Sequence, residues 1–199
     1  MASPYASLPV DKWIDTTRKL IAEHPLKATD IQAAVLDSWE SIFESKIGRH
    51  GIQIGKDIFP GPTIMGTFLH ELVPLELAAK YPGVWRSNRS KGEKDLVYEP
   101  VLKYSIEIKT SSNKNSIFGN RSYAQPQSSS PLAKGKDGYY IAINFEKFAA
   151  GVDRPKIRLI RFGWLDHTDW IPQASSSSQQ ARLAPMTYKT KLLLIYRAE

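Results

Sequence analysis

The sequence predicts an α+β domain with a mixed β-sheet, because apolar residues recur at helical spacing through the first 80 residues and with a period of two from residue 93 onward. Between the two regimes, residues 48–63 ("GRHGIQIGKDIFPGPT") hold four glycines and two prolines, which reads as a loop with at most a brief strand. At 199 residues, 42% of them hydrophobic, the chain suffices for one domain with its own core: helices over 9–80 and a sheet over 93–199.

Pro9 is placed to open a helix reaching about Glu23, with Trp13, Thr17, Leu20 and Ile21 on one face and Pro25 ending it. A second helix begins at a Thr29 or Asp30 cap. Its stripe is Ile31, Val35, Trp39, Ile42 and Phe43, and its polar face carries Asp37, Glu40 and Glu44. Thr63 caps a third, "IMGTFLHELVPLELAAKY", which Pro74 is expected to kink or divide.

Strands are predicted at Leu96–Tyr98, Tyr104–Thr110, Tyr139–Phe145, Lys156–Phe162 and Lys189–Tyr196. Residues 112–138 and "QASSSSQQ" (173–180) look irregular, the latter a flexible loop with no assigned chemistry. Trp13, Trp39, Phe43, Phe68 and Trp85 fit a core better than a base-stacking platform.

A formal charge of +7 favours a polyanionic partner such as nucleic acid. The absence of cysteine excludes disulfides and thiolate zinc sites, and His24, His50, His70 and His167 show no ligand-like spacing. Any metal must therefore be held mainly by oxygen. The N-terminus has no charged start leading into an apolar run, and no 18-residue apolar segment exists, so a soluble, cytoplasmic protein without a membrane partner is expected.

The stretch "EKDLVYEPVLKYSIEIKTSS", residues 93–112, carries the chemistry. Glu107 and Lys109 leave the same face of one strand, and Asp95, at the start of the neighbouring strand, is within reach of them. Two carboxylates at one point repel unless a hard cation joins them, and Mg²⁺ takes one or two carboxylates plus waters and substrate phosphate. A lysine beside them can hold or activate a water aimed at phosphorus, which is equipment for cutting a phosphodiester. The same spacing is also that of a solvated Glu–Lys pair on a strand face with Asp95 in a turn.

Lys94-Asp95 followed by Glu107-Ile108-Lys109 resembles the PD-(D/E)XK nuclease signature, and the following "TSSNKNSIFGNRSYA" is similar to type II restriction endonucleases in particular. Lys94 stands where the name-giving proline would be. The resemblance implies a central mixed sheet flanked by helices, with Asp95, Glu107 and the Ile108 carbonyl on Mg²⁺ (Mn²⁺ substituting) and Lys109 near the attacking water. It also implies an acid from an N-terminal helix, for which Glu40 and Glu44 are the candidates. Glu44 could instead pair with Lys46 or Arg49.

Arg86, Arg89, Lys91 and Lys94 lie in a Ser/Gly-rich loop before Asp95, suited to DNA phosphates or to a solvated turn. After the catalytic strand come Ser111, Ser112, Asn113, Lys114, Asn115, Asn120, Arg121, Ser122, Tyr123 and Gln125, side chains able to read base edges, with Asn120 and Arg121 foremost. One such site per chain suggests a homodimer on a short palindromic duplex. A structure-specific repair or junction-resolving nuclease of the same fold, and a non-catalytic DNA-binding module, are the alternatives.

Overall fold

Six strands form the central sheet of the computed structural model, which describes residues 3–125, 134–173 and 179–199. In chain order the elements are α1 (Trp13–Ala22), α2 (Ala28–Glu44), β1 (Lys46–Ile47), β2 (Ile52–Gln53), α3 (Pro62–Lys80), β3 (Trp85–Ser87), β4 (Leu96–Tyr98), β5 (Ile106–Ser111) and β6 (Phe118–Asn120). After them come β7 (Gly138–Phe145), β8 (Ile157–Leu165), β9 (Trp170–Pro172), β10 (Gln180–Leu183), α4 (Pro185–Thr190) and β11 (Leu192–Arg197). The large sheet has the order β11-β8-β7-β5-β4-β3, antiparallel except where β5 runs parallel to β7, so the expected α+β mixed sheet is present.

Each face of that sheet is covered by a different layer. Tyr139, Ile141, Ile143 and Phe145 of β7 join Ile106 and Ile108 of β5 against Ile31, Val35, Trp39, Met65, Leu69 and Leu77 of α2 and α3. Tyr140 and Ala142, on the opposite face, pack with Ile117, Trp170, Ala181 and Leu183 around a small sheet ordered β6-β10-β9. This two-sided burial explains why "GYYIAINF" is almost continuously apolar, since a strand covered on both faces has no solvent side to mark with polar residues.

Several boundaries differ from the sequence expectation. α2 starts at Ala28 without a side-chain cap, because the Asp30 carboxylate is taken by Lys80 Nζ (2.6 Å) and Tyr81 Oη (2.7 Å), fastening α2 to the end of α3. Thr63 is not a cap either: Pro62 opens α3 from Gly61, proline being pre-set for a first helical turn. α3 passes through Pro74 as one helix, with Pro74 buried. Residues 185–190 form α4, so the last strand begins only at Leu192. The region 112–138 contains β6 and a 3₁₀ turn at Arg121–Ala124, and part of the serine-rich loop is β10. The irregular structure expected at 126–133 and at 174–178 lies outside the described residues. Among the described residues, no helix is long and apolar enough to cross a membrane.

Candidate active site

β4 pairs with β5 only through Leu96 and Ile106, and beyond that point the two strands part. Asp95 stands at the fork. Its Oδ2 accepts the Ile108 backbone N–H at 2.7 Å, so a carboxylate takes the place of the missing strand partner and is fixed beside β5. On β5, Glu107 and Lys109 face the same way as Tyr140 and Ala142, their register partners on β7. The side chains therefore point toward the small sheet, into a pocket of about 440 Å³ lined by His70, Asp95, Glu107, Lys109, Asn120, Tyr123 and Lys134, among others.

The pocket is organised around two carboxylates. Glu107 is 2% exposed, and its Oε1 accepts both Lys109 Nζ and Tyr123 Oη at 2.6 Å. Lys134 Nζ lies 2.8 Å from Asp95 Oδ1 and 2.9 Å from Glu107 Oε2. His70 Nδ1, from α3, stands 3.6 Å from Asp95 Oδ2. Burial raises the Asp95 carboxyl, but His70, Lys109 and Lys134 outweigh it and hold the group well below the usual carboxylate range. Glu107 is likewise pushed up by burial and by Asp95, and pulled below its ordinary value by Lys109, Lys94 and Lys134. The Tyr123 phenol is raised by its burial and by the negative charge of Glu107, so it stays protonated and donates.

Lys94 lies behind this group. Its ammonium is buried with no hydrogen-bond partner among the described residues, 4.8 Å from the centre of the Tyr140 ring, and burial lowers its pKa to about 8.

These residues fit a divalent ion. Asp95 Oδ1 and Glu107 Oε2 converge on one ammonium that stands in for a cation, and Oε2 has no hydrogen-bond donor aligned on it among the described residues. Hard oxygen donors of this kind suit Mg²⁺ or Mn²⁺.

Other predicted residues fall elsewhere. Glu40 is exposed and paired with Arg154, and Glu44 is exposed at the end of α2; neither lines the pocket, where the α-helical lining residue is His70 of α3. The reason is packing: α2 turns its apolar stripe inward against α3 and the sheet, which leaves both glutamates on the solvent side. Arg86 does not offer a free guanidinium to phosphate, being held by Glu93 (2.7 and 3.1 Å) and Glu99, while Arg89 and Lys91 are exposed. Tyr123 serves Glu107 rather than a base. Ser111, Ser112, Asn113 and Asn120 line a cleft of about 740 Å³ that shares His70, Thr110, Phe118 and Asn120 with the carboxylate pocket. The Asn113 carboxamide oxygen accepts the backbone N–H of Asn115 and Ser116. Lys114 and Ser122 are exposed and, with Arg121, line neither space; Arg121 instead donates its backbone N–H to Gln179.

Three residues were not singled out for the site from sequence. His70 is 25 positions from Asp95 on a helix, with no spacing that links them. Lys134 precedes β7, and becomes a neighbour of Glu107 only once β7 is known to run parallel beside β5. Gln180, in the supposed flexible loop, pairs across strands with Asn120 and lines the same cleft.

A protein-family model described as ScaI restriction endonuclease matches residues 3–196. The chain belongs to the ScaI restriction endonuclease family. It is 50% identical over 195 residues to the type II restriction enzyme ScaI of Streptomyces caespitosus, across 98% of this chain and 85% of that protein. Membership of the ScaI family makes the chain a type II restriction endonuclease, a site-specific deoxyribonuclease. The repair nuclease and the non-catalytic binding module are thereby set aside.

Proposed function

We propose that this chain hydrolyses both strands of duplex DNA at a short palindromic site, using Mg²⁺ held by Asp95, Glu107 and the Ile108 carbonyl, with Mn²⁺ able to substitute. The observation that carries this reading is the convergence of two carboxylates, Glu107 buried and Asp95 half-buried, on a single cationic position, 2.8 and 2.9 Å from Lys134 Nζ. When bound there, the ion would polarise the scissile phosphate and lower the pKa of a water.

The chain's own groups do the rest. The Ile108 N–H fixes the Asp95 carboxylate, and the Tyr123 hydroxyl fixes Glu107, so neither acid must reorganise when phosphate arrives. Lys109 Nζ, held between Glu107 Oε1 and the Tyr123 ring at 4.6 Å from its centre, is placed to orient the attacking water and to offset charge on the phosphoryl oxygens. Arg89 and Lys91 would neutralise flanking phosphates, and Asn120 with Gln180 would meet base edges from the adjoining cleft.

A homodimer follows from the arithmetic of the break, since one competent carboxylate pair per chain cuts one strand and two-fold symmetry supplies the second. Among the described residues, a second acidic pair, Asp166 and Asp169, is buried and held by Lys191 Nζ at 2.8–2.9 Å. A host cytoplasm is the expected place of action.

The test is a plasmid-cleavage assay with Mg²⁺, Mn²⁺ or chelator on wild type and Glu107→Ala, alongside a gel-shift measurement. Cleavage should vanish in chelator and in the variant while DNA binding persists. A fully active Glu107→Ala, or activity undiminished in chelator, overturns the reading.

A further inference from the structure

Three ammonium groups surround the two carboxylates, and they are not equivalent. Lys94 is buried behind the site, over the Tyr140 ring. Lys109 is carried by the central strand β5 and reaches only Glu107 of the pair, with its side chain 13% exposed. Lys134 spans the pair, touching one oxygen of each acid, and is the most open of the Lys109 and Lys134 contacts at 23%.

Its position is the important point. An Mg²⁺ or Mn²⁺ ion shared by these acids must sit about 2.1 Å from oxygens of both. Asp95 Oδ1 and Glu107 Oε2 face each other across the Lys134 ammonium at 2.8 and 2.9 Å, which leaves no room for an ion at the same oxygens. Charge argues in the same direction, because a divalent ion added to three ammoniums and two carboxylates raises an already positive group further. One cation has to withdraw, and Lys134 lines the open pocket through which it can do so without crossing the core.

We propose that Lys134 is an intrinsic occupant of the cation position, neutralising Asp95 and Glu107 in the free protein and competing with the divalent ion for them. This rests on the reading of Asp95 and Glu107 as the ion-holding pair. Lys134 is then neither a ligand nor a group that orients water, but the element that sets how tightly the free protein holds its metal.

The experiment is Mn²⁺ titration of the full chain without DNA, with free Mn²⁺ followed by electron paramagnetic resonance, on wild type, Lys134→Met, Lys134→Arg and Asp95→Asn. Lys134→Met should bind Mn²⁺ roughly tenfold more tightly, inside the span of about 5- to 150-fold usual for coupled sites. Lys134→Arg, which keeps the charge, should bind no more tightly than wild type, and Asp95→Asn should lose the ion. Without metal, Lys134→Met should melt below wild type and regain more on adding Mn²⁺, since its carboxylates have lost their counter-charge. Should the methionine variant not fold, Lys134→Gln supports the same comparison. Unchanged or weaker Mn²⁺ binding in the neutral variant, with Asp95→Asn still losing the ion, overturns the inference about Lys134 alone. Mn²⁺ bound equally by Asp95→Asn and wild type overturns the ion-holding pair as well.

Discussion

His24 makes acid stability testable in one side chain. The ring is 6% exposed, with Nε2 3.0 Å from the Tyr104 carbonyl and Nδ1 accepting the Leu26 N–H at 3.1 Å. Tyr104 leads into β5, and Tyr139 and Phe162 close over the ring at centroid distances of 4.3 and 5.0 Å. Burial lowers the His24 pKa from 6.5 to about 4, against a smaller upward pull from the Tyr104 and Leu26 carbonyls. Above the unfolded value both states are neutral and the group costs nothing. As pH falls below it, the unfolded chain takes up a proton that the folded chain refuses, so stability drops until the folded value is reached. A gap of this width amounts to at most about 3 kcal/mol, of which about 2 kcal/mol is lost at pH 5. Urea melts of wild type and His24→Gln at pH 7.5 and pH 5 separate this from other titrating groups. The variant should be less stable at pH 7.5, yet wild type should lose about 2 kcal/mol more than the variant between the two conditions. Parallel losses in both proteins would refute the assignment of acid sensitivity to His24.

Two further outcomes concern the site. Tyr123→Phe keeps the ring beneath Lys109 and removes only the hydroxyl on Glu107, so on the proposal that Glu107 holds the ion cleavage should fall roughly 10–100-fold, with little change in melting temperature; a wild-type rate would show that Glu107 needs no such support. Asn120→Ala and Gln180→Ala should each relax discrimination between cognate and single-mismatch duplexes by about 1–3 kcal/mol per lost bidentate contact, measured by competitive cleavage, and unaltered preference in both would remove β6 and β10 from sequence reading.

The shared face of Glu107 and Lys109 is legible in the sequence because it obeys a local rule: strand alternation puts both on one side whatever lies around them. Strands 96–98 and 139–145 are legible for another reason, as short runs rich in β-branched and aromatic residues. Glu40 and Glu44 were placed by analogy with a family habit, and no periodicity says which neighbour a helix's polar face will meet. Lys134 and Gln180 belong to the site through strand pairings between distant segments, β5 with β7 and β6 with β10, and His70 through the packing of α3 on β5, none of which leaves a mark on composition. Serine and glutamine in a run read as loop, yet Gln180–Leu183 is held as a strand by partners on both sides. Asp30 shows the opposite error, since a residue ideal for a local cap was drawn off by Lys80 and Tyr81.

The parallel contact between β5 and β7 also decides how the enzyme can fail. Both strands lie inside the large sheet, and Ile106, Ile108 and Ile141 are 0% exposed. Amide hydrogens in such a place exchange with solvent only when the whole domain opens, whereas edge elements exchange through local fraying. A nuclease whose Glu107 sits on an interior strand, with Asp95 hydrogen-bonded to that strand's backbone, has no partly unfolded form that keeps the two acids aligned while the rest of the domain is loose. Heat or denaturant should then end cleavage in the same transition that ends the fold, with no window in which a loosened enzyme still cuts.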